Sequence, residues 1–217
     1  MIENESASIV IIAQLFNPSI LTEAWINKYD IIELPKLEGV RIFSPNVVQF
    51  QTSEVGVQVT PQKMQIVFNT HNPKEDILIH KDIAIKTVNL LPHTPFQSLG
   101  LNFDFFIIEP PGEIFNEYNK KLLGSGDSKL SQEFSSSDVK YGRYFSKNHG
   151  DARLKLNIVP VQRIDDKKDL IKFSFNFHHD ITNYEVDKRC ARLVELISRW
   201  KSLYDFSRNL VITAGTL

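Results

Sequence analysis

The sequence has little cysteine: Cys190 is the only one among 217 residues. One cysteine cannot form an internal disulfide or supply a cysteine-based zinc site, so neither is expected to hold this fold together. A chain without disulfides suits a reducing compartment, and we expect a cytoplasmic location. Cys190 also falls on the apolar stripe of a predicted helix, which indicates a structural role rather than a nucleophile.

Long apolar runs and an excess of either charge are also missing. The run from Ile9 to Ala13 is far shorter than the roughly 20 residues that span a bilayer, and the acidic start is not typical of a signal peptide. The chain has 25 Lys and Arg against 26 Asp and Glu, a formal charge of −1. We therefore expect no membrane partner, and nucleic acid is an unfavoured one because its binders carry a basic excess.

The sequence lacks the common catalytic motifs as well. It has no phosphate-binding loop, no nucleophile elbow, no His-Glu-x-x-His and no EF-hand loop. His178-His179-Asp180 contains the His-x-Asp part of a facial iron triad, but no further histidine follows it. A strand at this position would also place His178 and His179 on opposite faces. We predict no catalytic residue, no metal site and no cofactor.

Hydrophobic periodicity and turn signals predict an alternation of strands and helices. Strands are predicted at 8–16, 46–52, 55–60, 63–69, 98–108, 139–146, 152–161 and 170–180. Helices are predicted at 17–28, with Asn17 as N-cap, at 74–91, in a segment ending near Leu123, and over roughly 184–207. Residues 124–138 are rich in Ser, Gly and Asp and predict a flexible loop.

The two halves of the chain, about 8–91 and 98–207, share one order of elements. Each has an apolar strand, a helix opened by proline, three strands and a closing helix, and Pro18 and Trp25 align with Pro111 and Tyr118 at one offset. This predicts one α+β domain over residues 1–217, a pseudo-twofold duplication of a strand–helix–three-strand unit. Consecutive hairpins favour a mainly antiparallel sheet, with the helices on one side and a long C-terminal helix.

The uncovered side of such a sheet supplies the candidate ligand-binding residues. Alternation along two strands sends Arg153, Asn176 and His178 to a polar face, where amides and cations converge. His93 lies between two prolines in the linker 91–96, which would hold it at the junction of the halves. Most polar sheet faces are simply solvated, so a solvated face and a binding groove both remain open.

The predicted C-terminal helix supplies the candidate interface residues. The apolar residues of the helix follow a spacing of 4, 3, 4, 3 and 4, the seam of about three heptads: they are Val186, Cys190, Leu193, Ile197, Trp200 and Tyr204. A helix packed on its own sheet would explain the same pattern. If one flank stays exposed, the seam would join two copies or dock a partner, and its interface residues would be Val186, Leu193, Ile197, Trp200 and Tyr204.

Three functions are compatible with these features. The first is a cytoplasmic, non-enzymatic interaction or scaffold protein that self-associates or binds a protein partner. The second is a small-molecule-binding domain or enzyme with a pocket between the two halves. The third is a weak binder of single-stranded nucleic acid, indicated by aromatic and basic residues that alternate from Lys140 to Lys147.

Overall fold

The computed structural model of the protein describes residues 2–68, 73–108, 119–120 and 140–214. The strands are β1 Ile2–Ala13, β2 Glu38–Phe43, β3 Val48–Gln51, β4 Val55–Val59, β5 Lys63–Phe68, β6 Phe96–Ile108, β7 Arg143–His149, β8 Ala152–Gln162 and β9 Asp169–Asp180. The α-helices within these ranges are α1 Glu23–Lys28, α2 Pro73–Leu90, α3 Val186–Ser198 and α4 Trp200–Ala214.

All nine strands form one antiparallel sheet, in the order β2-β3-β4-β5-β1-β6-β9-β8-β7. β1 and β6 pair in the middle, along almost their whole length. From β1 the sheet continues through β5, β4 and β3 to β2, and from β6 it continues through β9 and β8 to β7. Hairpins make most of these pairs, as expected for antiparallel neighbours.

The core lies between one face of this sheet and the helices. Every second residue of β6, from Leu99 to Ile107, is at most 2% exposed. Aromatic rings from α4 close over this row: the ring centroids of Phe103 and Trp200 lie 4.6 Å apart, and those of Phe105 and Tyr204 lie 5.7 Å apart. α3 and α4 both contact β6, and α2 contacts β1, β5 and α3. The period-2 pattern of the strands therefore supplies one apolar face for the helix layer.

The predicted fold class is confirmed: the protein is α+β, with a mainly antiparallel sheet and a helical C-terminal region. The internal duplication stays a prediction. The helix expected before Leu123, apart from Asn119 and Lys120, and the loop expected at 124–138 lie outside the described residues. None of the α-helices that the structure describes is long and apolar enough to cross a membrane.

Two elements near the N-terminus differ from the prediction. β1 begins at Ile2 rather than at residue 8, because Asn4 and its neighbours pair with the long partner strand β6. The predicted helix 17–28 is a 3-10 turn, Pro18–Ile20, followed by the separate helix α1. Thr22 caps α1 by accepting a hydrogen bond from the N–H of Trp25 at 3.2 Å, whereas Asn17 caps only the short turn and makes no side-chain cap bond.

The long helix predicted at 184–207 is two helices that meet at Arg199. The apolar stripe continues beyond the predicted end, because Val211 is also fully buried. Both helices contact β6. The second helix continues past the predicted end at residue 207 as far as Ala214.

α1 ends in a Schellman motif whose left-handed position is occupied by aspartate. Asp30 has a φ of 50°. The N–H of Ile31 donates to the carbonyl of Ile26 at 3.0 Å, and the N–H of Asp30 donates to that of Asn27 at 3.2 Å. This motif usually carries glycine, since a Cβ is strained in that conformation.

We expect Asp30→Gly to raise the free energy of unfolding by about 0.5–1 kcal/mol. The Asp30 carboxylate is 83% exposed, and its contact with Lys86 at 3.4 Å contributes little. Urea unfolding checks the gain, and Asp30→Ala is the control because it removes the carboxylate and keeps the Cβ. An equal gain in both variants would contradict the backbone explanation.

Candidate functional site

The side of the sheet that faces away from the helices carries polar residues along most strands. On β9 the alternate residues Lys172, Ser174 and Asn176 are half-buried and His178 is exposed, while the intervening residues are buried. On β8 Arg153, Lys155 and Asn157 are exposed. This open face is the set of side chains that alternates with the buried core set on β3 to β9 and β1.

The register of the pairs places these polar residues in continuous rows across the strands. One row crosses eight strands, through Gln49, Gln58, Gln65, Val10, Gly100, His178, Arg153 and Asn148. The next row runs beside it through Gln51, Gly56, Val67, Ser8, Asn102, Asn176, Lys155 and Ser146. The face therefore presents two adjacent lines of amides, hydroxyls and cations.

The centre of the open face is held by a chain of side-chain hydrogen bonds. Asn176 Nδ2 donates to Asn102 Oδ1 at 2.5 Å, and Asn102 Nδ2 donates to Ser8 Oγ at 3.2 Å. Gly100 lies beside this chain without a side chain. A Cβ at Gly100 would meet Asn176 Nδ2 at 3.4 Å and Val10 Cβ at 3.8 Å, both ordinary contact distances. Gly100 therefore leaves a low point between ordered amides.

Positive charge gathers at the β8–β9 end of the open face. Arg153 lies opposite His178 and Lys155 lies opposite Asn176; we call Arg153, Lys155 and His178 the cationic patch. Arg153 Nη1 donates to the neutral Asn148 Oδ1 at 3.1 Å. Within the part of the chain that the structure describes, no ion pair joins Arg153 or Lys155 to a carboxylate.

Two carboxylates of this face, those of Asp104 and Asp180, have partners outside the cationic patch. Asp104 Oδ2 lies 2.9 Å from Lys172 Nζ. The Thr182 hydroxyl and backbone N–H donate to Asp180 Oδ1 at 2.6 and 2.8 Å, and these bonds lower the pKa of that carboxyl. Asp180 keeps its negative charge, and His178 is among the groups that lower its pKa. The unpaired positive charge of the patch therefore rests on Arg153 and Lys155, which no described carboxylate pairs with.

The other end of the open face is a shallow trough lined mostly by uncharged groups, together with the Asp104 carboxylate. Two depressions of about 200 and 210 Å³ lie side by side and share Gln65 and Val67. The first also touches Ser8 and Asn102, and the second touches Gln49, Gln58 and Gly56. Each is smaller than the 300–1,000 Å³ typical of small-molecule pockets. Together they suit an extended chain better than an enclosed ligand.

Three of the four predicted ligand-binding residues come together. Arg153, Asn176 and His178 share the open face within two neighbouring strands. His93 lies instead in the exposed connection between α2 and β6. Gly100 carries no local signal in the sequence, because its place opposite His178 depends on the β6–β9 register.

The structure places four of the five predicted interface residues in the core of this chain. Leu193, Ile197, Trp200 and Tyr204 are at most 2% exposed, and Val186 is 51% exposed. The heptad spacing is explained by packing on the sheet. Self-association stays a prediction, but of these five interface residues the described structure exposes only Val186.

His179 points to the opposite side from His178, as the strand alternation predicts. Its side chain is 3% exposed, and neither ring nitrogen has a hydrogen-bond partner within the described residues. Nδ1 lies 3.5 Å from Asp151 Oδ1. Burial lowers the pKa of His179 to about 4; Asp151 opposes that shift, and Arg199 and Arg192 add to it.

The residues around His179 form an ion-pair network that sequence analysis missed. Asp151 lies in the β7–β8 turn, after Gly150 with its φ of 60°. Arg199 Nη1 lies 2.8 Å from Asp151 Oδ1, and Arg192 also pairs with Asp151. Burial alone would raise the pKa of Asp151, but the charges of Arg199, His179 and Arg192 hold it below its ordinary value. Both arginines also pair with Glu195, at 2.7 and 2.5 Å, so this network is internally neutralised.

The described residues outside the open face show no activated nucleophile and no metal site. Burial raises the pKa of the Cys190 thiol, and Sγ lies 3.5 Å from the Val88 carbonyl oxygen, so the reactive thiolate is disfavoured. The residues that the structure describes contain no group of three or more His, Cys, Asp or Glu placed to hold a metal ion. A cavity of about 330 Å³ does exist, but it lies within the first half, between Asp30–Glu33, Thr52–Val55 and Asp82–Lys86.

Comparisons with protein-family models, with curated proteins and with solved structures give no match for this chain. The class that can be stated is that of the fold: an α+β protein with one open, polar face on a nine-stranded antiparallel sheet.

Proposed function

We propose that this protein is a non-enzymatic interaction protein that binds an acidic, extended segment of a protein partner on its open face. The observation that carries the proposal is the cationic patch: two exposed cations and a histidine, adjacent in register, with no described carboxylate paired to Arg153 or Lys155. Carboxylate side chains are the protein groups whose charge complements such a patch.

The amides beside the patch favour a polypeptide. Asn176 and Asn102 are already ordered by their mutual hydrogen bond, so their remaining donors and acceptors are available at small entropic cost. A peptide main chain offers matching N–H and C=O groups along its length. The amide and hydroxyl side chains of the open face form rows that run across the strands. These rows suit a peptide that crosses the sheet.

The residues of this face favour a peptide over single-stranded nucleic acid. Nucleic-acid platforms stack bases on exposed aromatic rings. Here Tyr144, 61% exposed, stands on the edge strand β7. Phe106 is half-buried, with Lys172 Nζ 5.5 Å from its ring centroid. The central strands present Ser8, Gly100 and Asn102 at the corresponding positions instead.

We expect charge reversal of the patch, Arg153→Glu with Lys155→Glu, to weaken binding of an acidic peptide at least about tenfold, since two favourable charge contacts become repulsive. The probe is a fluorescein-labelled decapeptide of alternating glutamate and serine, followed by fluorescence polarisation in 50 mM salt. The matched control, Lys28→Glu with Lys36→Glu, makes the same change in net charge at exposed lysines near α1 and is expected to bind normally.

Three outcomes would overturn this proposal. Equal weakening in both double variants would indicate non-specific attraction. Tighter binding of an oligothymidine of ten nucleotides than of the acidic peptide would favour nucleic acid. No binding of the peptide to the natural chain would remove the site. Light scattering tests whether the protein partner is a second copy of this chain. A dimer that dissociates in the patch variant would identify that copy as the partner.

A further inference from the structure

We infer that the binding face continues from the cationic patch across Gly100 into the amide trough on β3, β4 and β5. The partner segment would then be about ten residues long, lie across the strands, and carry its acidic residues at one end. This inference rests on the proposed function and specifies its ligand.

The first support is the continuity of the register. The row from Gln49 to Asn148 crosses eight strands without a shift, and Gly100 stands between Val10 and His178 in it. Neighbouring strands lie about 4.8 Å apart, so seven spacings measure about 34 Å. An extended chain of ten residues spans about the same length. One segment can therefore lie on the whole row.

The second support is the difference in charge between the two ends. The row holds His178 and Arg153 at one end and the uncharged Gln49, Gln58 and Gln65 at the other. Gln58 Nε2 donates to Gln49 Oε1 at 3.3 Å, and Lys63 Nζ donates to Gln65 Oε1 at 3.0 Å. These hydrogen bonds order the glutamine side chains and leave the charge on Lys63. The Asp104 carboxylate also lines the trough, so it suits main-chain and amide groups of a ligand better than carboxylates.

The third support is the lack of a side chain at Gly56 and Gly100. Gly56 lines one depression of the trough, and Gly100 marks the step from the trough to the patch. A larger residue at Gly100 would raise a ridge between Val10, Asn102 and Asn176. Because a Cβ meets those neighbours only at 3.4 Å or more, valine there is expected to keep the strand and block the crossing.

The test compares peptide lengths on the natural chain and on Gly100→Val. The short probe is a pentapeptide of alternating glutamate and serine. The long probes are two decapeptides that extend it with alternating asparagine and serine, one at each end, because the strand register allows either chain direction. We expect one decapeptide to bind the natural chain at least about tenfold more tightly than the pentapeptide. Gly100→Val should lose that gain and keep the affinity for the pentapeptide.

Circular dichroism and the unfolding midpoint confirm that Gly100→Val is folded. Gln58→Ala with Gln65→Ala, which cuts into the trough without a new ridge, should also reduce the gain. If the pentapeptide binds through Arg153 and Lys155 but neither decapeptide binds better, the extended site is wrong and the proposed function stands. The same holds if the gain survives in Gly100→Val. If the pentapeptide does not bind at all, the proposed function fails and this inference fails with it.

Discussion

Trp200→Ala is expected to lower the free energy of unfolding by about 3–5 kcal/mol, the usual cost of truncating a large buried aromatic side chain. Trp200 is fully buried, and its ring centroid lies 4.6 Å from that of Phe103 on the central strand β6. The cavity left behind would open between α4 and the sheet, where neighbouring rings cannot collapse without moving the helix. Urea unfolding at 25 °C measures the loss.

The same series tests whether the heptad pattern serves the core or an interface. Val186 belongs to the same pattern but is 51% exposed, so Val186→Ala is expected to change stability by less than about 0.5 kcal/mol. If Trp200→Ala fails to fold, Trp200→Phe gives a smaller loss that can be measured. An oligomer that dissociates in Trp200→Ala, with monomer stability unchanged, would show that Trp200 belongs to an interface after all.

This contrast shows what a periodic pattern in the sequence can and cannot predict. The spacing from Val186 to Tyr204 correctly predicts helical structure with one apolar side. It does not predict what covers that side, because a dimer seam and a sheet-packed helix require similar stripes. It also does not predict the break between the two helices at Arg199.

Strand alternation was a better guide to the candidate site. Arg153, Asn176 and His178 were assigned to one polar face from the period of two alone, and the pairing of β8 with β9 brings them together. Local patterns do not predict contacts between residues that are far apart in the sequence. Gly100 faces His178 across 78 positions of sequence, and Asp151 meets His179 and Arg199 only because the β7–β8 turn reaches α3. Local chemistry predicts faces, whereas register decides which faces meet.

The buried histidine should make this protein sensitive to mild acid. The folded chain holds His179 with a pKa of about 4, whereas an unfolded histidine has an ordinary value of about 6.5. Between those two pH values His179 binds a proton in the unfolded chain and does not bind one in the folded chain. Stability from His179 is therefore complete above about pH 6.5 and is lost as the pH falls towards 4, by about 3 kcal/mol in all. Below that range the lowered pKa of Asp151 adds a further loss.

His179→Leu is expected to make the free energy of unfolding nearly independent of pH between pH 6.5 and 4. Urea unfolding at steps of half a pH unit measures this. At pH 7 the variant should lie within about 1 kcal/mol of the natural chain, because the neutral ring makes no hydrogen bond to the described residues that leucine would forfeit. His178→Leu removes a histidine one position away, from the exposed face of the same strand, and is the control. A slope that persists in His179→Leu, or that disappears in His178→Leu, would place the acid sensitivity outside the buried ring. Loss of the slope in His179→Leu alone would instead assign the acid sensitivity to a buried side chain that protonates when the chain unfolds.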